Sequence, residues 1–134
     1  MQVKRPVAVI AIVTEAFKTE LIRELTDSIE QVTTNQQALE AQARRYLLQL
    51  QTSDLAQSSA FRRQVEVEKA KQEQMKSELK GRLEEANALE IGGEYPRGSL
   101  ESSVELKIGD NLFERIGRSE IVVKDDVIVE LRGE

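Results

Sequence analysis

The chain has 134 residues, a formal net charge of -5, and neither cysteine nor histidine. The missing side chains exclude disulfides, zinc sites built from thiolate or imidazole, and a Ser-His-Asp catalytic triad. The acidic balance argues against wholesale binding to nucleic acid or to an anionic membrane. Aromatic residues are only 4% of the chain, so we do not expect a large compact core.

The first element is an apolar run from Val7 to Val13, which follows Lys4, Arg5 and Pro6. Its β-branched composition favours a buried strand, with Pro6 near the start, where a missing N–H is tolerated. A signal peptide is the alternative, but the run is short and no small-residue cleavage site follows it. We therefore expect a strand, a cytoplasmic location and no membrane span.

A long helix is predicted next, with Thr14 as its N-cap and Glu15 in its first turn. Apolar residues then recur at alternating spacings of three and four, which places them on one seam of the helix. This first stripe consists of Ile22, Leu25, Ile29, Val32, Gln36, Leu39, Ala43, Tyr46 and Leu50. Such a seam requires a partner helix, and Gln36 is its only polar member.

The partner helix is predicted within the same chain. Residues 51–59 contain turn signals, and Ser58 or Ser59 is the expected cap of the second helix. Its stripe consists of Phe61, Val65, Glu68, Gln72, Met75, Leu79, Arg82, Ala86 and Leu89. Folding about the turn brings Gln36 to the height of Gln72, so these two amides are a candidate register layer. A ligand site between the helices is the alternative, but no convergent ionisable group supports it.

The last third of the chain changes its apolar period from 3.6 to 2. Alternation over residues 103–108 predicts a strand, which is followed by one short helical turn. Residues 121–124 and 127–131 predict a hairpin about Asp125-Asp126. The predicted fold is α+β: a long antiparallel coiled-coil hairpin lies between the first strand and the remaining strands of a small antiparallel sheet or partial barrel.

This fold also predicts the domain organisation. Residues 1–14 and 99–134 form the β module, residues 15–91 form the helical hairpin, and residues 92–98 form a linker. Both ends of the chain therefore build one β base, from which we expect the hairpin to project as an arm.

Short strings at both ends resemble the YlqD family of small bacterial proteins. The strings are Val13-Thr14-Glu15, Lys18 and Glu20-Leu21 at the start, and Ile108-Gly109-Asp110-Asn111, Ile121-Val122-Val123-Lys124-Asp125 and Val127 to Glu130 at the end. The family tends to have Asp-Gly at the hairpin turn, where this chain has Asp125-Asp126. The resemblance implies the same layout and an uncharacterised function, and it supplies no catalytic residues.

Positive charge is concentrated near the predicted hairpin turn. Residues 41–65 carry a net charge of +3, which leaves -8 on the rest of the chain. The candidate partner-binding tip combines an arginine collar with apolar side chains: Arg44, Arg45, Arg62 and Arg63 with Tyr46, Leu47, Leu48, Leu55 and Phe61. Apolar surface rimmed by arginine is typical of protein interfaces.

Three interpretations of this tip remain open. The leucines could simply close the end of the coil, with the arginines as a solvated face. The tip could bind protein, either an unidentified partner or a second copy, and the weak second stripe favours a homo-oligomer. The collar could contact RNA or the ribosome, although Tyr46 and Phe61 are the only stacking platforms beside it.

Acidic turn residues are the remaining candidates for chemistry. Asp110, Asn111, Asp125 and Asp126 could hold a hard cation. Turn formation explains the same residues without a site, because Asp and Asn form local hydrogen bonds there. We therefore expect no catalytic, metal or cofactor site, and a non-catalytic interaction or scaffold function.

Overall fold

The computed structural model describes residues 1–50 and 55–133. The elements are the strand β1 (Gln2–Ile12), the helices α1 (Glu15–Leu50) and α2 (Leu55–Asn87), the strand β2 (Glu94–Glu105), the short helix α3 (Leu112–Arg115), and the strands β3 (Ser119–Lys124) and β4 (Val127–Arg132). The predicted α+β class is confirmed, with the helical hairpin between β1 and the other strands in the sequence. Contacts divide the chain into two compact units, Met1–Thr19 with Leu89–Glu134, and Glu20–Ala88.

The four strands form one open sheet in the order β2-β1-β3-β4. The pairs β1–β2 and β3–β4 are antiparallel, whereas β1–β3 is parallel. This parallel pair is a departure from the antiparallel sheet or partial barrel that we predicted. β2 ends beside the start of β1, where Glu105 is opposite Gln2. The chain then crosses to the other side of β1, where β3 begins opposite Val7. β3 therefore runs in the same direction as β1.

β1 confirms the strand expected from the N-terminal apolar run. It is longer than predicted, and Pro6 lies in its interior rather than near its start. Pro6 is paired with Glu101 of β2, and the pairing with β3 begins only at Val7. Pro6 therefore has a neighbouring strand on one side only, which limits the ladder hydrogen bonds lost through its missing N–H.

β2 differs most from its prediction. It begins at Glu94, inside the predicted linker 92–98, and it ends at Glu105, before the end of the predicted strand 103–108. Ile108, which we expected to be half-buried, is fully exposed. The physical reason is the length of β1: all eleven residues of that strand have partners in β2, so pairing continues through a segment whose own alternation is weak.

Thr14 connects the start of α1 to the sheet. Its hydroxyl accepts a hydrogen bond from the backbone N–H of Phe17 (3.1 Å), which confirms Thr14 as the N-cap. The same hydroxyl donates to Oδ1 of Asp125 in the β3–β4 turn (2.7 Å). One residue earlier, Val13 exchanges two backbone hydrogen bonds with Gly92 and Gly93 (2.7 and 2.8 Å). These bonds extend the pairing of β1 beyond its last residue.

The β3–β4 hairpin has the two-residue turn that we predicted. Asp125 and Asp126 have φ values of +48° and +68°. Left-handed backbone at both central positions is the type I′ geometry, which matches the twist of the flanking strands. Asp can replace Gly here because aspartate adopts the left-handed region more readily than most residues.

The first stripe of the hairpin is confirmed on α1. Leu25, Val32 and Ala43 are buried, and all other members except Tyr46 are half-buried. The seam thus faces α2 along its length. Leu21 adds a further buried side chain at the start.

The second stripe is right at six of its nine positions and wrong at three. Its buried or half-buried members are Phe61, Val65, Gln72, Leu79, Ala86 and Leu89. Glu68, Met75 and Arg82 are exposed, and the half-buried residues one position further along, Lys69, Lys76 and Leu83, take their places. The apolar pattern could not show this shift, because two of the three seam residues are lysines. The two lysines are accommodated because their aliphatic stems cover the seam while their charged ends reach solvent.

The bounds of α2 also differ from those expected. The helix begins at Leu55, so neither Ser58 nor Ser59 is its cap, and it ends at Asn87. Residues 51–54 of the predicted turn lie outside the described residues. The helix therefore occupies the second half of the predicted loop.

Candidate interaction site at the helical hairpin

An aromatic pair closes the described end of the helical seam. The rings of Tyr46 on α1 and Phe61 on α2 are 4.4 Å apart between centroids and tilted by 58°. Tilted pairs at this distance are favourable, because the positive edge of one ring approaches the negative face of the other. The pair connects the two helices at this level of the hairpin, and the two rings are in contact with each other.

Two leucines near the hairpin turn remain outside this packing. The side chains of Leu48 and Leu55 are 64% and 85% exposed, whereas Leu47 is half-buried. A leucine in contact with the partner helix would be largely covered, so neither residue closes the end of the coil within the described chain. They form the apolar part of the candidate tip.

The arginine collar separates into two pairs. Arg44 and Arg62 line one concavity of about 410 Å³, whose floor includes Ala43, Leu47 and Val65. The neighbouring arginines, Arg45 and Arg63, are each one residue further along, which is about 100° around the helix. The predicted collar is therefore two residues that rim a groove and two residues that face away from it.

All four arginines are exposed. Among residues 1–50 and 55–133, no carboxylate lies within ion-pair distance of any of them. Within these ranges, no ion pair neutralises their charge.

The two glutamines of the predicted register layer lie at similar heights without forming a bond to each other. Gln36 donates to Oε2 of Glu73 (2.9 Å) and accepts from Nζ of Lys76 (3.4 Å). Oε1 of Gln72 is buried and has no hydrogen-bond partner among residues 1–50 and 55–133. The polar layer thus consists of one glutamine held by two charged side chains, beside a second glutamine with an unsatisfied oxygen.

The unsatisfied oxygen of Gln72 leads to a prediction. Gln72→Leu should raise the stability of the hairpin by about 1 kcal/mol, because a buried acceptor without a partner is replaced by an apolar group of similar size. Urea unfolding followed by circular dichroism at 222 nm measures the change. Gln36→Leu is the matched control and should destabilise, since it removes two hydrogen bonds. If Gln72→Leu destabilised as well, Gln72 would have a stabilising partner.

Two groups of interacting charges were not anticipated from the sequence. The Nζ atom of Lys69 lies 3.6 Å from Oε1 of Glu40 and 4.0 Å from Oε1 of Glu66. The only sequence signal for the second contact is the i,i+3 spacing. The first joins two helices, so no local pattern encodes it.

The second unanticipated group surrounds Arg132 at the end of β4. Its guanidinium donates to Glu94 (2.7 Å), Glu120 (3.2 Å) and Glu130 (3.1 Å). Hydrogen bonds to Glu130, Glu94 and Glu120 raise the pKa of Arg132. The cluster joins β2 and β4, the two edge strands of the sheet, so its role is structural.

Of the turn residues considered for a cation, Asp110 and Asn111 form local contacts, whereas Asp125 accepts from Thr14 at the start of α1. Oδ2 of Asp110 accepts from the backbone N–H of Lys107 (2.8 Å), and Oδ1 of Asn111 accepts from the first turn of α3. Within the described ranges, no group of three or more acidic residues is placed to hold a metal ion. No helix in this part of the chain is both long and apolar enough to cross a membrane.

Comparison with known proteins places this arrangement in a family. The family model described as YlqD protein matches residues 1–132. The chain belongs to the YlqD family. This family membership confirms the resemblance seen in the terminal strings. No curated protein matches the chain.

A solved structure shares the YlqD fold of this chain. It is a crystal structure of a protein of unknown function from Synechococcus sp. WH 8102, with a TM-score of 0.89 and 29% sequence identity. The alignment covers 98% of this chain and 94% of the other. Both comparisons thus establish the fold, and neither carries an activity.

Proposed function

We propose that this member of the YlqD family is a non-catalytic interaction protein whose helical hairpin binds another protein surface through its tip. The observation that carries the proposal is the exposure of Leu48 and Leu55 beside the groove of Arg44 and Arg62. Exposed apolar side chains flanked by arginine resemble the centre and rim of protein interfaces. The cytoplasmic location expected from the sequence is part of the same proposal.

Substitution of the two leucines tests the tip. In Leu48→Ser/Leu55→Ser, the folded hairpin should be retained, because both side chains are already in water. Binding through the tip should fall at least tenfold. Self-association is measured by size-exclusion chromatography with light scattering, and binding of another protein is measured by capture with the tagged chain. Met75→Ser is the matched control, since Met75 is an exposed apolar residue on α2 that lies about 18 Å along the helix from Arg63. Equal binding by all three proteins would show that the tip is only the end of a coil.

RNA or ribosome binding is a second candidate, and it is favoured by the four arginines without an ion pair in the described chain. Such binding should weaken steeply with salt, because each phosphate contact releases counterions. A filter-binding titration at two salt concentrations measures this dependence. The variant with Glu at positions 44, 45, 62 and 63 should lose the signal while its helicity is unchanged. Absence of a salt-dependent affinity would exclude this candidate.

A further inference from the structure

One face of the helical hairpin carries a continuous groove. The concavity of about 410 Å³ near the tip is followed by a second one of about 530 Å³, and both are lined by Glu40, Glu66 and Lys69. The second concavity also includes Thr33 and Ala70. Short side chains in the floor and long charged ones at the rim leave room for another helix.

A mirrored order of charges follows the α2 side of this groove. Arg62, Glu66, Lys80 and Glu84 lie within about 40° of one another around the helix, at 100° per residue. All four side chains are exposed. Arg62 and Glu84 are equally far from Glu73 along the helix, and so are Glu66 and Lys80. Each of these two pairs combines a base with an acid, so the series is complementary to its own reverse.

These charges cannot form the complementary pairs within one molecule. Arg62 and Glu84 are separated by about 33 Å along α2, and Glu66 and Lys80 by about 21 Å, at 1.5 Å per residue. A second copy that packs antiparallel about a two-fold axis at Glu73 brings Arg62 opposite the partner's Glu84. The same register brings Glu66 opposite the partner's Lys80. Because the symmetry repeats each contact, four ion pairs result.

We propose that two copies of this chain pack antiparallel through this groove face and form a four-helix bundle. The inference rests on the proposed function, in that the hairpin is an interaction surface, and it names the partner as a second copy. In this register, Glu73 lies opposite the partner's Glu73, which is a contact between like charges. The side-chain amide of Gln36 donates a hydrogen bond to the Glu73 carboxylate at 2.9 Å.

A charge swap in the full chain tests the register. The variants Arg62→Glu and Glu84→Arg should each be monomeric, with dimer dissociation constants at least tenfold above wild type. An equimolar mixture of the two should form a heterodimer, because positions 62 and 84 then carry opposite charges in both of their contacts. The double variant Arg62→Glu/Glu84→Arg should recover the wild-type dimer. Sedimentation velocity at several concentrations and two salt concentrations measures each state.

Glu73→Gln is a second variant, and it should tighten the dimer by removing the like-charged contact.

The outcomes separate this inference from the proposed function. A dimer that resists the charge variants but is lost in Leu48→Ser/Leu55→Ser would overturn the groove register and leave the tip proposal standing. A wild-type chain that is monomeric at all concentrations would overturn the register, and if its tip also captured no partner, both proposals would fail. Loss in the single charge variants with recovery in their mixture would establish the register.

Discussion

Val122→Ala should lower the free energy of unfolding of the β unit by about 2 to 3 kcal/mol. The side chain of Val122 is only 1% exposed, and β3 lies between β1 and β4, so neighbouring strands prevent the cavity from collapsing. Two methyl groups lose their burial, and the cavity that remains adds a further cost. The effect is a large fraction of the stability expected for a small domain.

Val129→Ala is the matched control for this prediction. Val129 lies in the edge strand β4 and is 55% exposed. The same two methyl groups are removed from an exposed position, so a much smaller loss is expected at Val129 than at Val122. Hydrogen exchange of the sheet amides measures the loss of stability in both variants. Equal losses would show that Val122 is not a core residue.

Leu25→Ala should produce the other large effect, a loss of about 3 kcal/mol in the helical hairpin. The side chain of Leu25 is 9% exposed at the seam between α1 and α2. Leucine-to-alanine changes at buried positions cost 2 to 5 kcal/mol, as approximate limits, and alanine itself does not weaken the helix. Urea unfolding at 222 nm should therefore show a clearly lower midpoint.

Met75→Ala distinguishes the observed seam from the predicted one. The predicted stripe places Met75 on the seam, whereas the structure leaves it 53% exposed. The expected loss is below about 0.5 kcal/mol, as for other exposed positions. A loss comparable to that of Leu25→Ala would mean that the predicted stripe was right at this position and that the described seam is not.

The sequence was most informative where the physical signal is local. The cap at Thr14, the stripe through Leu25 and Val32, and the turn at Asp125-Asp126 each depend on residues a few positions apart. Helix periodicity, capping and turn conformation act over that range, so they can be read without knowing the fold.

The candidate tip was predicted only in part. Charge and apolar composition located its residues, because both are properties of the side chains themselves. Their grouping was not predictable: Arg44 and Arg62 share a groove with Leu47, and Tyr46 is engaged with Phe61. That grouping depends on how two helices are rotated against each other, which a single helix pattern does not contain.

The chain by itself therefore determined the class of fold, the long helical hairpin and the exclusion of cysteine and histidine chemistry. Only the tertiary structure decided the parallel β1–β3 pair, the start of β2 at Glu94 and the three α2 seam positions that the predicted stripe missed. These features depend on contacts between residues far apart in the sequence. The length of a neighbouring strand or the rotation of a partner helix outweighs local propensity there, since burial against that neighbour contributes more free energy.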